Sequence, residues 1–251
     1  MKILFDAAEF KNKLGQLKDV TIGFVPTMGA LHQGHISLVE KAQSENNIVV
    51  VSVFLNATQF DNKNDLNNYP STIENDISTL DKMNVDYLFI PNYENIYPDN
   101  FAYQLEEKSF SKELCGKSRD AHFTGVLTVV MKLLNIVKPT RAYFGEKDRQ
   151  QLKLIQGMVD AFFMDVKIVA APTIREIDGL AMSSRNRRLN DNEKQIASLF
   201  PKLLGSNSSD SEIADELNNN GFKTDYIETL GGIRYGAVFL GNIRLIDNVK
   251  L

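Results

Sequence analysis

Short runs rich in β-branched and aromatic residues alternate along the chain with longer stretches in which apolar residues return every three or four positions. The runs fall at 2–5, 20–25, 48–55, 87–90, 141–144 and 166–169, and the helical stretches at 7–17, 35–44, 73–83, 125–137 and 149–163. This alternation predicts βαβ units: an α/β, Rossmann-like, doubly wound parallel sheet with helices on both faces. Such sheets bind ligands beyond the carboxyl ends of their strands, so segments 26–35, 56–70 and 145–148 are expected to converge on one crevice.

After Arg188 the pattern changes. A helical stretch at 191–204 runs into the polar segment Gly205-Ser206-Asn207-Ser208-Ser209-Asp210, followed by a short helix and two β-like runs, 225–230 and 237–246, parted by Gly231-Gly232. A small, shortened C-terminal α+β domain with an antiparallel hairpin or sheet is expected there, too small to stand alone. The division is placed between 175 and 176, giving a nucleotide-binding domain at 1–175 and a lid-like domain at 176–251. The Asn-rich pieces 61–68 and 218–220 read as surface loops.

With 251 residues, 43% of them hydrophobic, the chain can bury a real core. A net charge of −4 gives no overall electrostatic footprint for nucleic acid, which is not an expected partner. Cys115 is the single cysteine, so neither a disulfide framework nor a thiolate metal cluster is expected, and a reducing cytoplasm fits. No run of about 18 apolar residues occurs, so no membrane partner is expected.

The candidate chemistry gathers at strand ends. Pro26-Thr27-Met28-Gly29-Ala30-Leu31-His32-Gln33-Gly34-His35 joins a strand-like run to a helical one and holds two of the three histidines. Unpaired N–H groups at a helix start favour a polyanion such as nucleotide phosphate, and two imidazoles three residues apart can add donors that carry positive charge. Two solvated loop histidines remain the alternative; metal ligation lacks a third ligand at a suitable spacing. Gly145-Glu146-Lys147-Asp148 again puts polar groups at a strand's end, with Lys147 suited to a phosphate, Asp148 to ribose hydroxyls or metal, and Gln151 to a hydroxylated substrate. A capped helix start is the plain alternative.

Met182-Ser183-Ser184-Arg185-Asn186-Arg187-Arg188, shortly after Gly179, suits a mobile phosphate clamp, or else a solvated basic turn. In Asn56-Ala57-Thr58-Gln59-Phe60 two amides end the most hydrophobic strand; they can meet a small polar ligand or form a loop-internal network. His122, at another loop-to-helix junction, reads as a cap or packing group.

PTMGALHQGH at 26–35, NATQF at 56–60, HFTGV at 122–126, GEKDRQQL at 145–152 and DGLAMSSRN at 178–186, in this order, resemble the pantoate–β-alanine ligase family of the HxGH nucleotidylyltransferase superfamily. The resemblance spans nearly the whole chain. It implies ATP-dependent condensation of pantoate with β-alanine to pantothenate, through a pantoyl adenylate, releasing pyrophosphate and AMP, with Mg2+ accompanying ATP and a cytoplasmic homodimer as the working form. Matching motifs imply ATP contacts by Met28, Gly29, Ala30, Leu31, His32, Gln33, Gly34, His35, Gly145, Glu146, Lys147, Asp148, Ile174, Met182, Ser183, Ser184 and Arg185. His35, His32, Lys147, Ser183, Ser184 and Arg185 would stabilise the reacting phosphates, with His35 as proton donor; Gln59 and Gln151 would bind pantoate, and Gln59 also β-alanine. No protein metal ligand is implied.

Departures from the family pattern are Ala57 in place of the usual proline, Arg149 in place of tyrosine, Asp120-Ala121 in place of the commoner Pro-Gly, and apparent deletions near Gly205 and between Asp225 and Arg234. Rival readings are a related nucleotidyltransferase acting on a phosphorylated substrate, a truncated class I aminoacyl-tRNA synthetase, and a nucleotide-binding regulator without catalysis. Gln59 and Gln151 in place of a basic acceptor pocket speak against the first, and the missing tRNA-binding module against the second. Both histidines, Lys147 and Arg185 speak against the third.

Overall fold

The computed structural model describes residues 1–251. Its elements run β1 (Lys2–Leu4), α1 (Ala7–Gly15), β2 (Ile22–Thr27), α2 (Gln33–Glu45), β3 (Ile48–Val53), α3 (Lys63–Asn67), α4 (Ile73–Lys82), β4 (Tyr87–Phe89), α5 (Tyr93–Ile96), α6 (Cys115–Ser118), α7 (His122–Val137), β5 (Arg141–Gly145), α8 (Arg149–Ala161) and β6 (Lys167–Ala171). The C-terminal part adds α9 (Asp191–Ala197), α10 (Leu199–Leu204), α11 (Asp210–Asn219), β7 (Phe222–Leu230), β8 (Ile233–Leu240) and β9 (Ile243–Lys250).

Strands β1 to β6 form one parallel sheet in the order β1-β4-β3-β2-β5-β6. Alternate side chains serve opposite faces. Phe24 and Val50 join a core with Phe10 of α1, Leu127 of α7 and Ile155 of α8, whereas Val25, Val49 and Val51 join a second with Leu38 of α2 and Leu80 of α4. Both faces are therefore covered, as continuous apolar strands require. The chain winds one way from β2 through β3 and β4 and the other way through β5 and β6. This switch point lies between β2 and β5, whose carboxyl ends lead into the histidine loop and the Gly145–Lys147 turn.

Of the antiparallel hairpin or sheet expected in the C-terminal part, the structure has the sheet. The run 237–246 is broken at Gly241, whose φ of +55° makes a turn, so β7, β8 and β9 form a three-stranded antiparallel sheet. The stretch 191–204 likewise divides at Ser198 into α9 and α10. Leu180, Phe200, Leu204, Ile213 and Leu217 pack on Phe222, Val238, Leu240 and Leu245 in a separate core. Gly236 allows this approach, since a Cβ there would lie 2.8 Å from Leu204 Cδ1. The Asn-rich 61–68 segment contains α3, capped by Asn62 Oδ1 accepting from the Asn64 N–H.

Candidate functional site

A cavity of about 400 Å³ opens at the switch point, between the carboxyl ends of the parallel strands and the C-terminal sheet. Its walls include Met28, His32, Gly34 and His35; Gln59; Gly145, Lys147, Asp148 and Gln151; and Ile174, Met182, Ser183, Ser184 and Arg185. Four separated sequence segments thus meet in one space. Gly29, Ala30, Leu31, Gln33 and Glu146, expected at the nucleotide, lie outside the lining. Ala30 and Leu31 are buried, Gln33 is exposed, and Glu146 lies 3.7 Å from the Arg149 guanidinium.

The histidine loop is a tightly built support. Ala30 and Leu31 direct their N–H groups to the two carboxylate oxygens of Asp76 at 2.8 and 2.9 Å, so these amides are spent on the protein and not on a phosphate. Asp76, on α4, is 3% exposed and also accepts from the Thr72 hydroxyl. Gly29 and Ala30 both take positive φ, +84° and +51°. For Ala30 this conformation is costly, and the pair of bonds to Asp76 holds it.

His32 caps α2: its Nδ1 accepts from the Gly34 N–H, while the His32 N–H donates to His35 Nδ1. The two rings lie 4.1 Å apart between centroids. Burial, with help from the Lys147 charge, lowers His32 to about 4. Burial, with His32 and then Lys147 nearby, lowers His35 to about 3. In the chain without ligand, both rings thus take up charge only well below neutral pH. With each Nδ1 accepting, the proton sits on Nε2, and each ring offers one N–H to a ligand. Positive charge at this wall comes from Lys147, whose side chain is largely buried 3.9 Å from Asp148.

Gln59 is set by a buried amide network. Asn56, 1% exposed, donates to Gln59 Oε1 and to the Gly125 carbonyl, and its Oδ1 accepts from the Tyr97 and Thr58 hydroxyls. Asn56 thus belongs to the loop-internal network, while Gln59 lines the cavity. Gly125 permits the contact: a Cβ there would meet the Thr58 carbonyl oxygen at 2.4 Å. His122 holds the same loop from below. Arg119 donates to its Nε2, so Nδ1 carries the proton and donates to the Gln59 carbonyl at 2.7 Å. Burial and the adjacent Arg119 lower His122 to about 3, consistent with that neutral form.

The segment 184–188 is a 3-10 turn whose arginines are paired within the protein. Arg185 and Arg188 share the carboxylate of Asp65, at 2.8 Å each. The Arg185 guanidinium lies over the Tyr69 ring, and Ser184, buried, donates to the Tyr69 hydroxyl. Arg187 donates to the Leu31 carbonyl, tying this turn to the histidine loop.

The family model for "Pantoate-beta-alanine ligase" matches residues 2–250. The chain belongs to the pantoate–β-alanine ligase family. It is 51% identical over 231 residues to a pantothenate synthetase of Bdellovibrio bacteriovorus, with 92% of each chain covered. With one of Legionella pneumophila (strain Lens) the identity is 50% over 242 residues, covering 96% of this chain and 95% of the relative. A pantoate–β-alanine ligase from Francisella tularensis, solved with beta-gamma ATP and β-alanine, superposes with a TM-score of 0.96 at 44% identity, covering 100% of this chain and 97% of that one.

Membership in the ligase family gives the departures a structural context. The compact C-terminal part is shared with the Francisella ligase, given the coverage of both chains. Ala121, noted above as a departure, adopts φ +57°, the left-handed region that glycine enters without strain. Sequence reasoning missed Asp76, Asp65 and Arg244 of β9, the last of which also lines the cavity. Only Asp76 carried a signal: it falls three residues after Ile73 and four before Leu80, a charge on the apolar stripe of α4.

Proposed function

We infer that the protein condenses pantoate with β-alanine at the expense of ATP, forming pantothenate with release of AMP and pyrophosphate. The observation that carries this reading is the meeting of His32, His35 and Lys147 with Gln59, Gln151 and the Ser183–Arg185 segment around one cavity, in a chain of this family from end to end. Pantoate's carboxylate attacks the α-phosphorus, the bond to pyrophosphate breaks, and pantoyl adenylate forms. The amine of β-alanine then attacks the acyl carbon, loses a proton, and AMP leaves.

The residues present suit these steps. The Nε2–H groups of His32 and His35 donate to phosphate oxygens without bringing charge, while Lys147, Arg185 and the Ser183 hydroxyl meet the charge that grows as pyrophosphate departs. Gln59 and Gln151 orient pantoate, so that the encounter with ATP becomes effectively intramolecular. No cluster of three or more His, Cys, Asp or Glu side chains is placed to hold a metal. Asp148 would be the carboxylate at hand for an ion carried in on the triphosphate, and Mg2+ held there would neutralise phosphate charge. Residues 1–175 are proposed to hold the nucleotide and pantoate, residues 176–251 to close over them, and a cytoplasmic homodimer to be the working form.

Omitting each substrate in turn tests the reading. AMP release is expected only with ATP, Mg2+, pantoate and β-alanine together; steady turnover without β-alanine, or none with all present, overturns it.

A further inference from the structure

Asn248, near the end of the last strand, reaches across to the nucleotide side of the cavity. Its Nδ2 donates to the carbonyls of Glu146 and Lys147, at 2.9 and 3.0 Å, one hydrogen to each. Beside it Asp247, 3% exposed, receives the guanidinium of Arg175 through both oxygens, at 2.6 and 3.0 Å. Arg175 also donates to the Gly179 carbonyl and pairs in antiparallel fashion with Ala181, while Ile174 accepts from the Met182 N–H. Two neighbouring residues of β9 thus hold two walls of the site: the turn that roots Lys147, and the hairpin that presents Ile174 and Met182.

We propose that Asn248 is a positioning residue for Lys147, coupling the seating of the C-terminal sheet to the placement of that ammonium beside His32 and His35. A lysine side chain is long and its charge is a point, so the root of the chain decides where that point can rest. The 3-10 turn at Glu146–Asp148 has no side-chain cap of its own, and Asn248 supplies the bonds from outside. One amide with two hydrogens matches two carbonyls, whereas a carboxylate in its place would set oxygen against oxygen. The inference rests on Lys147 acting at the phosphates.

A double-mutant cycle on the full chain tests it, with pantoate-dependent ATP–pyrophosphate exchange as the readout and thermal unfolding measured alongside. Asn248→Ala is expected to slow exchange about 10- to 100-fold, the scale of a misplaced catalytic group. In a Lys147→Ala background the same change is expected to cost less than about 2-fold, because the two residues act as one unit. Asn248→Ser, which keeps one donor, is expected to fall between Asn248→Ala and the parent, and serves for the cycle if the alanine variant does not fold. Equal losses in both backgrounds overturn the proposal and make Asn248 structural only. An unimpaired Lys147→Ala single variant overturns the role of Lys147 instead, so the two failures are distinguishable.

Discussion

Two rims of the cavity carry the groups proposed to face phosphate, and they are held by opposite means. The histidine rim hangs on Asp76, a carboxylate sealed among backbone amides and the apolar stripe of α4. The arginine rim hangs on Asp65, a carboxylate of a short surface helix that is still a quarter exposed while it faces two guanidiniums. For Asp65, burial raises the carboxyl pKa, but its bonds to Arg185 and Arg188 outweigh this and hold it below the usual range. The first rim is a fixed cradle whose donors are neutral; the second is a set of charges already satisfied by a carboxylate, the kind of anion a phosphate can replace. One wall is thus held by a buried carboxylate and the other by a partly exposed one.

The sharpest way to break the contrast is Asp76→Ala. It orphans two buried N–H groups and removes what holds Ala30 at positive φ, so unfolding free energy is expected to fall by about 2–5 kcal/mol. Denaturant titration measures this, and the loss should persist at high salt. A change below about 1 kcal/mol would show that the cradle does not depend on its carboxylate.

The next largest effect concerns protons. The folded chain titrates His32 near 4 and His35 near 3, against 6.5 for an unperturbed histidine. Between these values the unfolded chain holds more protons, so stability is full above pH 6.5 and falls as pH drops through the window. At pH 5 the loss is of order 1–2 kcal/mol per histidine. Comparing unfolding at pH 7 and pH 5, a His32→Gln/His35→Gln variant should lose less stability than the parent; an equal loss would place the acid sensitivity elsewhere.

Asp65→Ala should have the smallest effect. A partly exposed ion pair contributes less than about 1 kcal/mol, so the stability loss should be of that size and shrink toward zero in roughly 1 M salt. If the Asp65→Ala and Asp76→Ala losses respond alike to salt, the distinction between the rims fails.

The alternation of runs at 20–25, 48–55 and 141–144 with helical stretches was enough to foresee a parallel sheet, because burial on both faces leaves its mark as continuous apolar segments. The positions of His32, Gln59, Lys147 and Ser183 at strand ends or turns were legible for the same reason. Their partners were not. Asp76 lies 46 residues from Ala30, Asp65 120 from Arg185, and Asn248 101 from Lys147. Periodicity assigns a residue to a face but does not say which distant group meets it there. The three-stranded C-terminal sheet was only partly visible, since Gly241 inside an apolar run marks a turn only once the flanking strands pair.

Sequence by itself determined the layered α/β architecture, the family, and the chemical types gathered at the strand ends, since these follow from local pattern and motif. Tertiary structure decided the protonation of the histidines, which carbonyls and amides remain for a ligand, and which carboxylate holds each rim. Those properties depend on desolvation and on charges a few ångströms away, and only the folded chain sets such distances.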